Sequence, residues 1–128
     1  MSIYDVVPIS VHDYRRRAYR RLPRFLFDYL DGAANAETTA RANVQDFQRY
    51  QLRQRVMHNV DGVSTAAELA GQAVSMPLAL APVGMAGMYA RRGEVQGARA
   101  ALASGVPFTT STVGICPVEE VAAVGRSP

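Results

Sequence analysis

The sequence predicts an α/β fold in which helices follow parallel strands, preceded by a helical lead-in. From Pro77 onward, apolar strand-like runs alternate with helical repeats, and the segment before residue 50 carries only helical patterns. The composition, 48% hydrophobic and 20% charged over 128 residues, is typical of a globular chain with a real core. Two β/α units in tandem favour right-handed crossovers.

Helix signals open the lead-in. Ser10 and Asp13 have the spacing of a capping box, which predicts a first helix up to about Arg21. Pro23 suits the first position of a second helix, because it lacks only an amide that would be unpaired there. Gly32 should end that helix.

A third helix and a hairpin should follow. Thr38 or Thr39 could cap the third helix, and the polar spacing within 51–60 suits an extended segment. The stretch 64–76 favours a helix by propensity in its first half, whereas Gly71 between short apolar runs favours a hairpin. We expect the hairpin, for a reason given below.

The β/α units are predicted from residue 77 onward. The run 78–81 is apolar throughout, as expected of a parallel strand covered on both sides. A loop at 82–92 and a helix ending at Gly105 should follow it. Residues 106–110 are the second predicted strand, and Pro117 should open the next helix with two acids in its first turn.

Several classes of protein are excluded by the sequence. The most apolar stretch, 76–90, contains prolines and glycines and is shorter than the ~20 residues of a membrane-spanning helix. Residues 1–5 lack the order of a secretory signal, and the single Cys116 cannot form an internal disulfide. His12 lies in the capping segment and His58 in a connector, and neither has the partner spacing of a metal ligand, so we expect no metal site. We expect a cytoplasmic protein.

The positive charge is concentrated in one segment. All 14 basic residues are arginine, the formal net charge is +3, and a short stretch contains six arginines, namely Arg15, Arg16, Arg17, Arg20, Arg21 and Arg24. Such a cluster is typical of a solvated helix face, and the alternative is a basic module that binds anionic lipid or nucleic acid. We favour the solvated face and expect no nucleic-acid partner.

Two loops are candidates for ligand binding, because ligands of α/β folds bind where parallel strands end. The loop 81–88 combines a proline with small residues, so its backbone could approach a flat ligand, although such residues also make ordinary turns. The loop 109–112 carries four hydroxyl side chains, which could bond a ring carbonyl or a phosphate or could cap a helix. Tyr29, between Phe27 and Leu30, reads first as a core residue.

Read together, these segments carry a family resemblance. The ordered blocks are Leu22–Ala33, Leu52–Val56, Ala81–Gly84, Tyr89–Glu94, Ser111–Val113 and Glu119–Val121. In order and spacing they resemble FMN-dependent α-hydroxy acid oxidising enzymes, and most of all the branch that oxidises L-lactate. The resemblance extends from Ile9 to Val121.

The resemblance implies a fold. The family fold is a TIM (β/α)8 barrel preceded by helices and a short hairpin, which is why we expect a hairpin before the first strand. On this basis residues 1–76 would form the lead-in and hairpin, and residues 77–128 would form the first two β/α units, with strands at 78–81 and 106–110. A barrel needs ~250 residues, so we expect this chain to be the amino-terminal part of a longer enzyme.

The resemblance also implies a site. The backbone of Pro82, Val83 and Gly84 would lie against the isoalloxazine ring of FMN, and Ser111 would bond the flavin. Tyr29 would hydrogen-bond the carboxylate of a 2-hydroxy acid substrate.

The catalytic groups are expected elsewhere. The family supplies a His base, an Arg and a Lys from later strands, and this chain contains no lysine. We therefore expect no catalytic residue here and no lactate-dependent dye reduction by the chain alone. The intact parent would be a homo-oligomer that passes electrons to a quinone or cytochrome, with peripheral contact to the inner membrane as an alternative to a free cytoplasmic location. Unpaired strand edges predict poor solubility for the isolated chain.

Overall fold

Helices make up most of the regular structure in the computed structural model, which describes residues 7–126. Residues 1–6, which contain the segment on which the expectation about a secretory signal rests, and residues 127–128 lie outside the described part. The described chain falls into two units that divide between Met57 and His58, and each is described by itself. No helix of residues 7–126 has both the length and the apolar character needed to cross a membrane.

The first unit contains three helices. They are α1 (Val11–Arg21), α2 (Arg24–Asp31) and α3 (Thr38–Asp46), and a 3₁₀ turn at Phe47–Arg49 follows. All three helices were predicted. Residues 51–57, at the end of this unit, are exposed and have no regular secondary structure.

Capping residues set the ends of α1 and α2, with one departure from the prediction. The Asp13 carboxylate accepts a hydrogen bond from the Ser10 amide at 3.1 Å, which is one half of a capping box. Pro23 lies one position earlier than predicted, at the cap of α2 and not at its first helical residue. Gly32 ends α2, and its amide donates to the carbonyl oxygen of Asp28 at 2.9 Å.

The prediction that Thr38 or Thr39 caps α3 is wrong. Glu37 occupies the cap with a left-handed φ of 57°, and Thr38 is the first helical residue. The Glu37 carboxylate turns back and accepts the amide of Ala33 at 3.0 Å, so the side chain stabilises the preceding turn. A hydroxyl at position 38 is therefore not needed as a cap.

Buried side chains of α2 form the apolar centre of the first unit. Leu26 and Phe27 are buried, and the ring of Phe27 meets that of Tyr19 edge to face with centroids 5.1 Å apart. The guanidinium carbon of Arg24 lies 5.3 Å from the centroid of the same Tyr19 ring. Aromatic and cation–π contacts of this kind join α1 to α2.

The predicted hairpin is confirmed in the second unit. Strands β1 (Ala67–Leu69) and β2 (Gln72–Val74) pair antiparallel. The two turn residues between them, Ala70 and Gly71, both have positive φ, 50° and 78°. Positive φ at both central residues is the mark of a type I′ turn, which matches the right-handed twist of the strands.

Ala70 has a left-handed backbone conformation, which costs a residue with a Cβ roughly 1–2 kcal/mol. We expect Ala70→Asn to stabilise the chain by about 1 kcal/mol, because Asn-Gly is the preferred pair for this turn. Urea unfolding measures the gain. Ala73→Asn, exposed in β2 and without positive φ, serves as the control and should be neutral or destabilising. Equal stabilisation by both variants would contradict the assignment of turn strain.

The rest of the second unit is helical apart from its loops. It contains α4 (Ala86–Tyr89), α5 (Gly93–Ala103) and α6 (Val118–Ala123), with a 3₁₀ turn at Val124–Arg126. The helix ending at Gly105 and the helix opened by Pro117 are confirmed. The predicted loop 82–92 contains the short helix α4, which was not predicted. The core of the unit consists of buried residues from α5 and α6, namely Val95, Ala98 and Val121, with Phe108 packed against them.

The two predicted strands at 78–81 and 106–110 are reduced to a single parallel bridge between Leu80 and Phe108. The expectation that the first run is covered on both sides is wrong for this chain. Leu78 is 49% exposed, and only Leu80 of the run is half-buried. The reason is physical, because an interior parallel strand needs a partner on each edge and side chains on each face. The described residues supply one partner.

A serine ties the hairpin to the end of α5. The Ser75 amide donates to the carbonyl oxygen of Gly105 at 2.9 Å, and the Ser75 hydroxyl donates to the carbonyl oxygen of Ser104. Gly105 has a φ of 63°, the left-handed value with which glycine commonly ends a helix. The hairpin is thereby fixed where the second extended segment begins.

Candidate functional site

Two loops lie side by side where the bridged segments end. We call residues 81–85 loop 1 and residues 109–116 loop 2. Leu80 sets their alignment, because its amide donates to Pro107 at 2.9 Å and its carbonyl accepts the Thr109 amide at 3.0 Å. Beyond the bridge, the Met85 amide donates to the carbonyl oxygen of Val113 at 3.0 Å. The expected proximity of the two segments is therefore confirmed.

Loop 1 offers free backbone donors. Within the described residues, the amides of Val83 and Gly84 have no hydrogen-bond partner, and Pro82 has no amide to satisfy. Pro82 and Val83 are exposed, and Gly84 is half-buried. Two unpaired N–H groups beside a rigid proline suit a flat ligand that carries acceptor atoms.

Loop 2 places a hydroxyl beside loop 1. The Ser111 hydroxyl oxygen accepts the amide of Val113 at 3.2 Å, so the oxygen also helps to hold the loop. A hydroxyl that accepts one hydrogen bond still has its own proton to donate. Ser111 can therefore serve both the loop and a ligand acceptor.

A cavity of about 340 Å³ lies at this position. Its lining includes Val83 from loop 1, Thr109 and Ser111 from loop 2, and Phe108 from the bridge. This volume falls at the small end of the range of about 300–1,000 Å³ that is usual for ligand pockets. Clefts of the first unit are larger but are lined by ion-paired side chains, and no predicted cofactor residue lines them.

Tyr29 belongs to the first unit. It lies on α2 and its side chain is 57% exposed, so it is not the core residue that its apolar neighbours suggest. The predicted cofactor residues Pro82, Val83, Gly84 and Ser111 all lie in the second unit. The role of Tyr29 toward a substrate stays a prediction.

Glu94 is a site residue to which the sequence alone assigned no role. It lies in the first turn of α5 and is 2% exposed, although it carries a carboxylate. Its Oε1 accepts the amide of Ile115 at 2.8 Å and the amide of Gly87 at 3.1 Å. The carboxylate thus joins α4, which follows loop 1, to loop 2.

The charge on Glu94 is held by backbone groups. Burial by itself raises the pKa of this carboxyl, but the amides of Ile115 and Gly87 and the Cys116 thiol beside it outweigh burial and lower the pKa to about 2. The amino-terminal end of α5 adds a favourable dipole. Contact with Glu94 and then burial raise the pKa of the Cys116 thiol, which makes it a poor nucleophile.

Glycines around Glu94 are the signal that sequence reasoning could have used. A Cβ at Gly87 would lie 3.1 Å from Glu94 Oε2, and a Cβ at Gly114 would lie 3.6 Å from Oε1. Glycine lets backbone approach a neighbouring group closely, because it has no Cβ. The sequence places a glycine directly before this acid at Gly93-Glu94.

Among the described residues, three of the six arginines in the cluster of the first unit pair with nearby acids. Arg15 donates to Asp31 at 2.7 Å, Arg16 pairs with Asp13, and Arg24 pairs with Asp28 at 3.0 Å. These exposed pairs contribute little to stability, but they reduce the charge available to an anionic partner. The pairing supports the solvated helix face. Within residues 7–126, no three His, Cys, Asp or Glu side chains group as a metal site.

Comparison with known proteins identifies the family of this chain. The family described as FMN-dependent dehydrogenase matches residues 18–128. An L-lactate dehydrogenase of Xanthomonas campestris pv. campestris (strain B100) is 61% identical over 113 residues, which is 88% of this chain and 29% of that protein. The chain thus spans less than a third of the length of this relative.

Solved structures agree with the sequence relatives. A mandelate oxidase matches with a TM-score of 0.83 at 34% identity, over 95% of this chain and 36% of that one. An (S)-mandelate dehydrogenase described as a monotopic membrane protein matches with a TM-score of 0.82 at 34% identity, over 91% of this chain and 31% of its own. The predicted fold class, the amino-terminal part of an FMN-binding TIM barrel with a helical lead-in and hairpin, is confirmed.

Proposed function

The chain belongs to the FMN-dependent dehydrogenase family, and from this premise we propose that it is the amino-terminal part of an enzyme that oxidises an L-2-hydroxy acid, L-lactate to pyruvate. One observation carries the proposal. Loop 1, with its free amides, is hydrogen-bonded to loop 2, with its hydroxyls, through Met85 and Val113. The 61% identity to an L-lactate dehydrogenase supports the choice of substrate.

The residues of loops 1 and 2 fit FMN. The amides of Val83 and Gly84 would donate to acceptors on the isoalloxazine ring, Pro82 would lie against the ring, and Ser111 would donate its hydroxyl proton to it. When bound, FMN accepts the two electrons removed from the carbon that bears the hydroxyl. The protein's part is to hold the ring at the end of the strands and to exclude water from one of its faces.

Tyr29 would bind the substrate by donating its phenolic proton to the carboxylate of the hydroxy acid. A base to remove a proton and a cation for the carboxylate are also required, and neither is assigned to a residue of this chain. The division into residues 1–76 and 77–128, a quinone or cytochrome as electron acceptor, homo-oligomerisation of the parent and peripheral membrane contact are parts of the same proposal.

The proposal is tested in a chimera. This chain replaces the matching amino-terminal segment of the Xanthomonas campestris relative, and dye reduction is measured with L-lactate, D-lactate and (S)-mandelate. We expect dye reduction by the chimera with L-lactate, little with D-lactate, and none by the 128-residue chain alone.

Tyr29→Phe in the chimera tests the substrate contact. Loss of one hydrogen bond to a charged group costs about 1.5–3 kcal/mol, which lowers kcat/KM for L-lactate by roughly 10-fold or more. Tyr50→Phe is the matched control, because Tyr50 lies in the same unit and is exposed. A chimera that folds and binds FMN but oxidises no 2-hydroxy acid would contradict the proposal.

A further inference from the structure

We propose that Glu94 is a positioning residue whose carboxylate holds loops 1 and 2 at the separation that a bound flavin requires. The inference rests on the proposed function for the identity of the ligand. The structure alone supports the clamp, by which we mean the two hydrogen bonds that the Glu94 carboxylate accepts from α4 and loop 2. Glu94 lines the same cavity, but its carboxylate is bonded to the amides of Gly87 and Ile115 and not to those of Val83 and Gly84, so we assign its effect to the position of the two loops.

The clamp consists of two hydrogen bonds to one oxygen. Oε1 of Glu94 receives the amide of Ile115, in loop 2, at 2.8 Å. The same oxygen receives the amide of Gly87, two residues after loop 1, at 3.1 Å. Because one atom accepts both bonds, neither loop can move without stretching a bond to the shared acceptor.

This clamp is separate from the direct link between the loops. That link is the hydrogen bond from the Met85 amide to the carbonyl oxygen of Val113, and Glu94 takes no part in it. The Met85 amide therefore reports loop separation without touching Glu94. A change at Glu94 that alters protection of Met85 must act through the position of the loops.

Glycines let the loops approach the carboxylate this closely. A Cβ at Gly87 would lie 2.8 Å from the Cβ of Ile115 and 3.1 Å from Glu94 Oε2. The first distance is below any normal carbon–carbon contact, so any side chain at position 87 would push loop 2 away. The close approach of α4 to loop 2 therefore requires a glycine at position 87.

A buried carboxylate is a poor choice for stability alone. Within the described residues, Oε2 of Glu94 is buried and has no hydrogen-bond partner, and the Cys116 thiol beside the carboxylate is a weak donor. Replacing buried charges by packed apolar residues is often neutral or stabilising. A geometric role explains why a charge stands here, since an ionised carboxylate holds amide donors roughly twice as strongly as a neutral acceptor does.

The test uses two variants that disturb the clamp differently. Glu94→Gln keeps the size of the side chain and removes the charge, whereas Gly87→Ala keeps the charge and forces the loops apart. Each has a matched control in the second unit, namely Glu119→Gln on the exposed side of α6 and Gly125→Ala, whose added Cβ meets no atom within 4 Å. Two readouts are taken on the 128-residue chain. These are hydrogen exchange of the Met85 amide and quenching of FMN fluorescence in a titration.

We expect Glu94→Gln to exchange its Met85 amide and to release FMN about 10-fold faster than the native chain, the difference between a charged and a neutral acceptor. Gly87→Ala should change both readouts in the same direction, because its added Cβ displaces loop 2. Ala101 in α5, which is buried, should stay better protected than Met85 in both variants, which would show that Met85 exchanges by local opening of the loops and not by unfolding. Both controls should match the native chain in every readout.

Each possible result either supports the clamp or overturns it. Native-like Met85 exchange in Glu94→Gln or in Gly87→Ala overturns the clamp. Equal protection of Ala101 and Met85 in both variants also overturns it, because the two amides would then exchange through the same unfolding event. Faster Met85 exchange with unchanged FMN affinity overturns the link to the flavin. If the native chain does not bind FMN, the proposed function fails, and Met85 exchange still decides on the clamp.

Discussion

A Gly93→Ala variant is expected to lose about 3 kcal/mol of unfolding free energy, from overpacking against rigid backbone. An added Cβ at Gly93 would lie 2.4 Å from the carbonyl oxygen of Ala86 and 2.7 Å from its carbonyl carbon. Side-chain repacking cannot relieve a clash with backbone, so α4 must move away from the start of α5. The expected sign is opposite to helix propensity, which favours Ala over Gly by about 1 kcal/mol.

Urea unfolding monitored by circular dichroism measures this loss. Gly125→Ala is the control, because nothing lies within 4 Å of its added Cβ, and its unfolding midpoint should stay within error of the native value. An unchanged midpoint for Gly93→Ala would mean that α4 and α5 are not packed as described.

Acid should destabilise the second unit through Glu94. The folded-state pKa of this carboxyl is about 2, below its ordinary value of 4.5. A depressed carboxyl pKa gives stability that is fully present above the unfolded value and is lost as the pH falls toward the folded value. The window is therefore between about pH 5 and pH 2, with a loss of about 2 kcal/mol at pH 3 and about 3 kcal/mol in full.

Native-state hydrogen exchange of α5 amides, measured at pH 6 and pH 3, reports the stability of the second unit. The same measurement on Glu94→Gln is subtracted, because Asp13 and Asp31 also have lowered pKa values and lose stability in acid. The native chain should lose stability and Glu94→Gln should lose much less. Parallel losses in the two proteins would show that the acid response comes from other groups.

Local signals in the sequence predicted most of the helices correctly. The Ser10–Asp13 spacing, the stop at Gly32 and the left-handed Gly105 each act within a few residues, so sequence alone determines them. The hairpin was ambiguous by propensity, and the family resemblance decided it. The alignment of Ala70 and Gly71 in a type I′ turn agrees with that choice.

Strands depend on partners distant in sequence, and here the predictions fell short. The run 78–81 has the composition of a buried strand, but pairing in the described chain stops at Leu80 and Phe108. No pattern within 78–81 can specify how many neighbours it will have. Burial of the strand is a property of the whole sheet and not of the run itself.

The candidate site was predicted in part for the same reason. Proximity of loops 1 and 2 follows from two parallel segments in tandem, which the sequence pattern gives. Glu94 was not found, because an acid in the first turn of a helix is usually solvated, and its burial depends on Gly87 and Ile115 reaching it from both sides. Tyr29 lies in another unit, and neither spacing nor propensity specifies what it faces.

Because Ser75 is bonded to the end of α5, the attachment of the hairpin and Ser111 of loop 2 lie at opposite ends of the segment 106–110. The hairpin is anchored where the second extended segment begins, and Ser111 follows where that segment ends, roughly 13 Å away for four extended steps. A fluorophore, an affinity tag or a surface tether grafted on the hairpin would therefore be attached at the end of this segment opposite to Ser111. Such labelling gives a handle for single-molecule or immobilised studies.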